Sequence, residues 1–167
     1  MPQRLFNLIS TIWVGSLLTT GYLVAPTLFA LLSETDAGRV AANLFHTQAY
    51  VSVVSGIVLL LIANRVLRMR DAGASSIEIG AQALRRARRV IIAMIACTLV
   101  GYFALQPWMN ALRIAAQTAG TDISHSAYKT QFGALHGVSM VFYLLESVLG
   151  VWLVCMRGVR ASVIAPA

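Results

Sequence analysis

The apolar stretch FGALHGVSMVFYLLESVLGVWLV, residues 132–154, decides the fold class of this chain. It exceeds the ~20 residues that an α-helix needs to cross the ~30 Å hydrocarbon core of a bilayer. Three earlier stretches have the same character, so the sequence predicts four spans, at residues 9–32, 44–64, 90–106 and 132–156. Because backbone polar groups must be satisfied internally in lipid, we expect all four spans to be helices.

The composition of the chain indicates the same class. Hydrophobic residues make up 58% of the sequence and charged residues only 11%, whereas soluble domains have about 45–50% and about 25%. The first apolar stretch is longer than the ~7–15 residues of a signal-peptide core, which favours an uncleaved first helix. We therefore predict an all-α membrane protein with one domain, residues 1–167, folded as a four-helix up-down-up-down bundle.

The basic residues, which give the chain a net charge of +7, are unevenly distributed among the connections between spans. The positive-inside rule places both termini and the 65–89 segment in the cytoplasm. We interpret these arginines as topology signals and as contacts for anionic lipid head groups, and not as a nucleic-acid-binding surface. The arginines on that side are Arg4, Arg65, Arg68, Arg70, Arg85, Arg86, Arg88, Arg89, Arg157 and Arg160.

The polar residues of the fourth span fall on one face of its predicted helix. At 100° per residue they occupy an arc of about 100°, and the opposite face carries only apolar side chains. The residues on the arc are His136, Ser139, Tyr143, Glu146, Ser147 and Gly150. We take His136, Ser139, Tyr143 and Glu146 as a candidate polar site inside the membrane.

Glu146 raises a specific question, because a charged carboxylate in a span costs about 2.5–3.5 kcal/mol on insertion scales. The sequence places no lysine or arginine at its depth. The predicted partners are hydroxyl groups, from Thr19 or Thr20, Ser55 and Thr98. A neutral Glu146 that ties the helices together, a proton-relay or ligand-binding site, and a cation site are the three open interpretations.

His136 is predicted roughly 15 Å from Glu146, toward the outer end of the fourth span and level with His46. It is the best candidate for a metal ligand, with copper or haem as the possible cofactor. The chain has no H-x-x-E-H or C-x-x-C-H spacing, so no cofactor is predicted. A histidine hydrogen-bonded to a backbone carbonyl is the alternative.

Arg39 and His46 form a second candidate site, at the outer face of the second helix. Arg39 lies within helical reach of Glu34 and Asp36, which predicts a surface ion pair. The alternative is that Arg39 holds an anionic group at the outer surface beside His136.

Local motifs predict where helices begin, end and pack. The sequence SETD at residues 33–36 is a capping box that starts the second helix, and Gln106 and Pro107 are predicted to end the third. Gly133 and Gly137 form a G-x-x-x-G step, which allows close helix approach in membranes. On the third helix, Ala93, Cys97 and Gly101 form a similar ladder of small residues.

Three segments in order, WVGSLLTTGYLVAPTLFALL, AGRVAANLFHTQAYVSVVSG and FGALHGVSMVFYLLESVLG, resemble the bacterial domain-of-unknown-function 4149 family (DUF4149), also described as transmembrane-protein-205-like. His46 stands outside the pattern of that family. The positions that carry the resemblance are Gly15, Pro26, Phe29, Gly38, Arg39, Phe45, His136, Gly137, Ser139 and Glu146.

The resemblance implies a four-helix integral protein of the bacterial inner membrane without an established activity. We expect a non-enzymatic structural, accessory or small-solute-handling bundle, able to form homo-oligomers. The alternatives are a haem- or copper-binding component that uses His136 and a proton-coupled carrier that uses Glu146.

Overall fold

The computed structural model describes residues 2–71 and 78–162, without the side chains of residues 2, 69–71, 78–81 and 157–162. No β-strand occurs in these ranges. The α-helices are α1 (Pro2–Leu18), α2 (Ala25–Leu31), α3 (Glu34–Asp71), α4 (Glu78–Thr98), α5 (Leu105–Thr118) and α6 (Lys129–Ser162). π-Helical segments at Thr19–Val24 and Leu99–Ala104 join α1 to α2 and α4 to α5, and a 3₁₀ turn at Ile123–His125 precedes α6.

Four helical stretches of the described chain are long and apolar enough to cross a membrane, which confirms the predicted number of spans. These spans run over Gln3–Leu31, Glu34–Arg68, Gln82–Thr118 and Lys129–Met156. The described helices extend beyond most of the predicted bounds. The 38 residues of α3 correspond to a length of about 57 Å at 1.5 Å per residue, so this helix continues past the ~30 Å hydrocarbon layer.

The capping box at the start of α3 is confirmed in part: Ser33 caps the helix, but Asp36 accepts from the Ser33 hydroxyl group, where a full capping box would use the Ser33 backbone N–H. The Ser33 hydroxyl oxygen accepts the backbone N–H of Asp36 at 3.2 Å, and the hydroxyl group donates to the Asp36 carboxylate at 2.8 Å. The Ser33 carbonyl accepts the N–H of Ala37 at 2.8 Å. These bonds satisfy groups that would otherwise lack partners at a helix N-terminus, which is why α3 begins ahead of the apolar stretch.

The predicted end of the third span at Gln106 and Pro107 is wrong, because the helical backbone continues to Thr118. Pro107 lies in the first turn of α5, where its missing N–H needs no helical partner. Pro26 occupies the corresponding place at the start of α2. A π segment precedes each proline, and its wider turn relieves the clash between the proline ring and the preceding turn.

The four spans pack in the cyclic order α1, α3, α4, α6. Each of these helices contacts two neighbours, so α1 lies diagonally opposite α4, and α3 lies diagonally opposite α6. Side chains that point to the bundle axis can therefore meet across it. The direction of the bundle, with both termini in the cytoplasm, stays a prediction.

The large core residues concentrate at one end of the bundle, where α1 and α4 begin and the long helices α3 and α6 finish. We call it the basic end, because the exposed arginines Arg4, Arg65, Arg68, Arg85, Arg86, Arg88 and Arg89 lie there. The side chains of Arg70, Arg157 and Arg160 are outside the described residues. The core cluster contains Phe6, Trp13, Val14, Leu59, Ala63, Ala87, Val90, Ile91, Met94 and Leu153.

The close helix contacts do not occur at the predicted G-x-x-x-G step. A Cβ atom built on Gly133 or Gly137 meets nothing within 4 Å. The Cβ of an alanine at Gly101, from the predicted ladder on the third helix, would instead lie 2.8 Å from Cβ of Phe142. The packing of α6 against the third span thus depends on Gly101 and on the π segment that contains it.

Candidate functional site

Glu146 is the buried acidic residue of the fourth span. Its side chain is 3% exposed, and its Oε1 atom is buried without a hydrogen-bond partner among the described residues. A buried polar atom without a partner is rare and costs free energy. This carboxyl group is therefore a candidate functional group of the bundle.

Ser52 of α3 approaches Glu146 from the diagonally opposite helix. Its side chain is 1% exposed, and its oxygen accepts a 2.9 Å hydrogen bond from the indole N–H of Trp13. Since that bond uses a lone pair of the Ser52 oxygen, the hydroxyl proton remains available to the carboxyl group. Trp13 thus orients a potential donor toward Glu146.

Thr98, the last residue of α4, approaches the same carboxyl group. Its hydroxyl group donates to the backbone carbonyl of Met94 at 3.2 Å. Because that bond uses the proton, the Thr98 oxygen can accept a hydrogen bond from a protonated Glu146. Neither Thr98 nor Ser52 completes a hydrogen bond to Oε1.

Trp13, Ser52, Thr98 and Glu146 form what we call the Glu146 cluster. It takes one residue from each of the four spans, and all four side chains are buried. The chain thus places a potential donor and a potential acceptor next to one carboxyl group at the axis of the bundle.

The predicted partners of Glu146 were only partly right. Thr98 lies beside it, but the serine is Ser52 and not Ser55, which is one helical turn away. Thr19 is exposed and begins a π segment, which changes the direction of the side chains that follow. Sequence reasoning missed Trp13, although a tryptophan within a span needs a partner for its N–H when it is buried.

Tyr143 lies one turn from Glu146, away from the basic end. Its hydroxyl group donates a 2.6 Å hydrogen bond to the backbone carbonyl of Leu17. Its ring meets Phe45 edge to face, with the ring centroids 5.3 Å apart, and a Cβ atom at Gly21 would overlap it. Tyr143 therefore connects α6 to the first span beside the π segment.

The polar face of α6 is not a continuous hydrogen-bonded track. The hydroxyl groups of Ser139 and Ser147 donate to the carbonyls of His136 and Tyr143, both at 2.9 Å. Since Tyr143 itself donates to Leu17, each of these three hydroxyl groups is bonded to a backbone carbonyl. His136, at the far end of this face, is exposed.

His136 belongs to a separate stack of planar groups. Its ring lies parallel to that of Phe132, with an interplanar angle of 7° and the centroids 6.1 Å apart. The guanidinium carbon of Arg113 lies 5.5 Å from the Phe132 centroid, which is a cation–π distance, and Arg113 is close enough to act on His136 electrostatically. The sequence did not point to Arg113.

Arg39 and His46, the second candidate pair, contact different residues. Arg39 forms an ion pair of 2.7 Å with Asp36 and has a side chain 76% exposed, as predicted for a surface pair. His46 is hydrogen-bonded through Nδ1 to the Tyr102 hydroxyl at 2.8 Å and packs against the ring of Tyr50. These contacts do not assemble an outer site with His136.

The described residues add no support for a copper site at His136. Within residues 2–71 and 78–162, no group of three His, Cys, Asp or Glu side chains is placed to hold a metal ion. The positive charge of Arg113 beside His136 also works against a cation there.

The sequence model of a family described as Domain of unknown function (DUF4149) matches residues 8–118, and the chain belongs to this family. The matched residues cover most of the first span and all of the second and third, and they stop before α6, so Glu146 and His136 lie beyond them. Neither a curated protein nor a solved structure matched the chain.

Proposed function

We propose that this member of the DUF4149 family is a non-enzymatic helix bundle of the bacterial inner membrane whose working part is a proton-binding site at Glu146. The observation that carries the proposal is the buried Oε1 atom without a partner among the described residues. Ser52 and Thr98 approach the same carboxyl group, and Trp13 of the first span donates to Ser52. Proton uptake at the bundle axis is the step that proton-coupled handling of a small solute requires.

The hydroxyl groups around Glu146 support reversible protonation over a permanently neutral carboxyl group. A hydroxyl group is both a donor and an acceptor and can rotate between these roles. Ser52 can donate to the ionised carboxylate, and Thr98 can accept from the protonated acid. A cluster of this kind can accommodate both states, whereas a fixed cation would stabilise only one.

The arginines at the basic end support the cytoplasmic location of that end. Those with described side chains lie exposed at one end of the bundle, as the positive-inside rule expects. Homo-oligomer formation stays a prediction.

The proposal is tested by difference infrared spectroscopy of the full-length protein in lipid nanodiscs, titrated from mildly acidic to mildly alkaline pH. A buried protonated carboxyl group has a C=O stretching band that ionisation removes. We expect a band that decreases as the pH rises and that is missing in Glu146→Gln. A band that stays constant over the titration would overturn the proposal. It would show that Glu146 remains protonated and only links the helices by hydrogen bonds.

Glu34→Gln is the matched control, because Glu34 is an exposed acid at the start of α3. This variant should retain the pH-dependent band. Thermal unfolding gives a second readout: wild-type stability should fall as the pH rises, because an ionised carboxylate without a counter-ion is costly in the bundle. Glu146→Gln, which cannot ionise, should show a flatter dependence on pH.

A further inference from the structure

A groove lies between α3 and α4 at the basic end. It has a volume of about 340 Å³ and is lined by Asn64, Leu67, Arg68, Arg85 and Arg88. Leu67 is the buried residue of this set, at 8% exposed. Arg88 donates to the side-chain oxygen of Asn64 at 3.4 Å, which links the two helices across the groove. Three guanidinium groups from two helices therefore face one small space.

The charges in this groove are unbalanced among the side chains that the structure describes, which exclude residues 69–81. The ion pair between Asp36 and Arg39 is the one formed within that set, and α3 carries it at its opposite end. Three like charges repel one another, and a bound anion would relieve that repulsion. Guanidinium groups are well suited to phosphate because their N–H groups match its oxygens in pairs.

An exposed apolar surface continues from the groove along both helices. On α3, Ile57 and Leu61 precede Asn64 and Arg68 in steps of three and four residues, and they are 48% and 64% exposed. Residues at these spacings share one helix face. The chain thus offers a charged groove with an apolar surface directly beneath it.

The third span has the same arrangement. Ile92 and Leu99 lie on the face of Arg85 and Arg88, at 50% and 47% exposed. A free phosphate ion would use only the groove. A phospholipid would also place its acyl chains along the two apolar faces.

We propose that this groove is a binding site for an anionic phospholipid, with the head-group phosphate held by Arg68, Arg85 and Arg88. Basic pockets between helices at the cytoplasmic side of a membrane are suited to such head groups. The site is a defined position on the protein, which distinguishes it from general attraction between basic residues and a negatively charged membrane surface. It does not depend on the protonation of Glu146.

The test measures how much lipid the full-length protein retains in detergent micelles that contain either cardiolipin or phosphatidylcholine, by native mass spectrometry. We expect selective retention of cardiolipin, and a reduction of about tenfold or more in Arg85→Gln/Arg88→Gln. The matched control is Arg86→Gln/Arg89→Gln, which removes the same charge from the same helix turns without removing a residue that lines the groove. All four arginines are exposed, so folding should survive, and circular dichroism checks it.

Equal losses in the two double variants would show general electrostatic attraction and would overturn the site. Inorganic phosphate, added at the same concentration as cardiolipin, separates the two possible sources of the anion. If phosphate displaces cardiolipin at equal concentration, the groove is a free-anion site and the lipid proposal is wrong. Retention of cardiolipin under this competition supports it.

Discussion

The two ends of the bundle are packed differently. At the basic end, large side chains such as Trp13, Leu59, Met94 and Leu153 are fully buried, and the helices there are regular. Toward the opposite end, the buried residues are mostly small or polar, and both π segments and both prolines of the spans lie on that side. Those buried residues are Ala37, Ala41, Gln48, Ala49, Met109 and Ala116.

This difference shows how helices associate in a lipid environment. Lipid tails are as apolar as leucine, so association depends on close packing and on hydrogen bonds between helices. The basic end uses interlocking large side chains, with Gly56 and Gly150 packed directly against them. The opposite end uses glycines and a tyrosine hydroxyl group where the backbone changes from α to π. The Glu146 cluster lies at the boundary between the two, where Trp13 connects it to the large core residues.

Removal of Trp13 tests the packing of the basic end and should have the largest effect. Trp13→Ala leaves a cavity and removes the donor to Ser52, so we expect a loss of about 3 kcal/mol in the free energy of unfolding. Reversible unfolding by sodium dodecyl sulfate in mixed micelles measures it. Trp108→Ala, at a side chain 66% exposed, should lose less than about 0.5 kcal/mol. Similar losses in the two variants would contradict the contrast between the two ends.

Gly101 tests the glycine-dependent packing of the opposite end. In Gly101→Ala the new Cβ would lie 2.8 Å from Cβ of Phe142, so we expect a loss of about 1–2 kcal/mol from overpacking. In Gly137→Ala, where nothing lies within 4 Å, the better helix propensity of alanine should raise stability by up to about 1 kcal/mol. The same unfolding assay measures both. Stabilisation of both variants would mean that α6 is not held closely against the π segment.

The tyrosine hydroxyl group gives the smallest effect. Tyr143→Phe removes the hydrogen bond to the Leu17 carbonyl, and such bonds in membrane proteins contribute about 0.6 kcal/mol on average. The melting temperature in detergent should fall slightly. Tyr128→Phe is the control, because Tyr128 is an exposed tyrosine outside the bundle contacts of Tyr143. An equal change in both variants would show that the Tyr143 hydroxyl group does not stabilise the packing of α6 against the first span.

Interactions between residues close in the chain could be predicted from the sequence. The Ser33 cap and the ion pair between Arg39 and Asp36 each join residues three positions apart, and helix geometry alone brings them together. The end of the third span was mispredicted because Pro107 usually stops a helix. In the structure, Pro107 lies in the first turn of α5, directly after a π segment, where its missing N–H is tolerated.

By itself the sequence determined the class of protein, the number of spans and the division of the fourth helix into a polar and an apolar face. The reason is that hydrophobicity and its period depend on each helix separately. Only the tertiary structure decided that Ser52, held by Trp13, and not Ser55 approaches Glu146. It also decided that Arg113 and not Arg39 lies beside His136. Those pairings depend on helix rotation and on shifts of one turn along the axis, which no local pattern in the chain specifies.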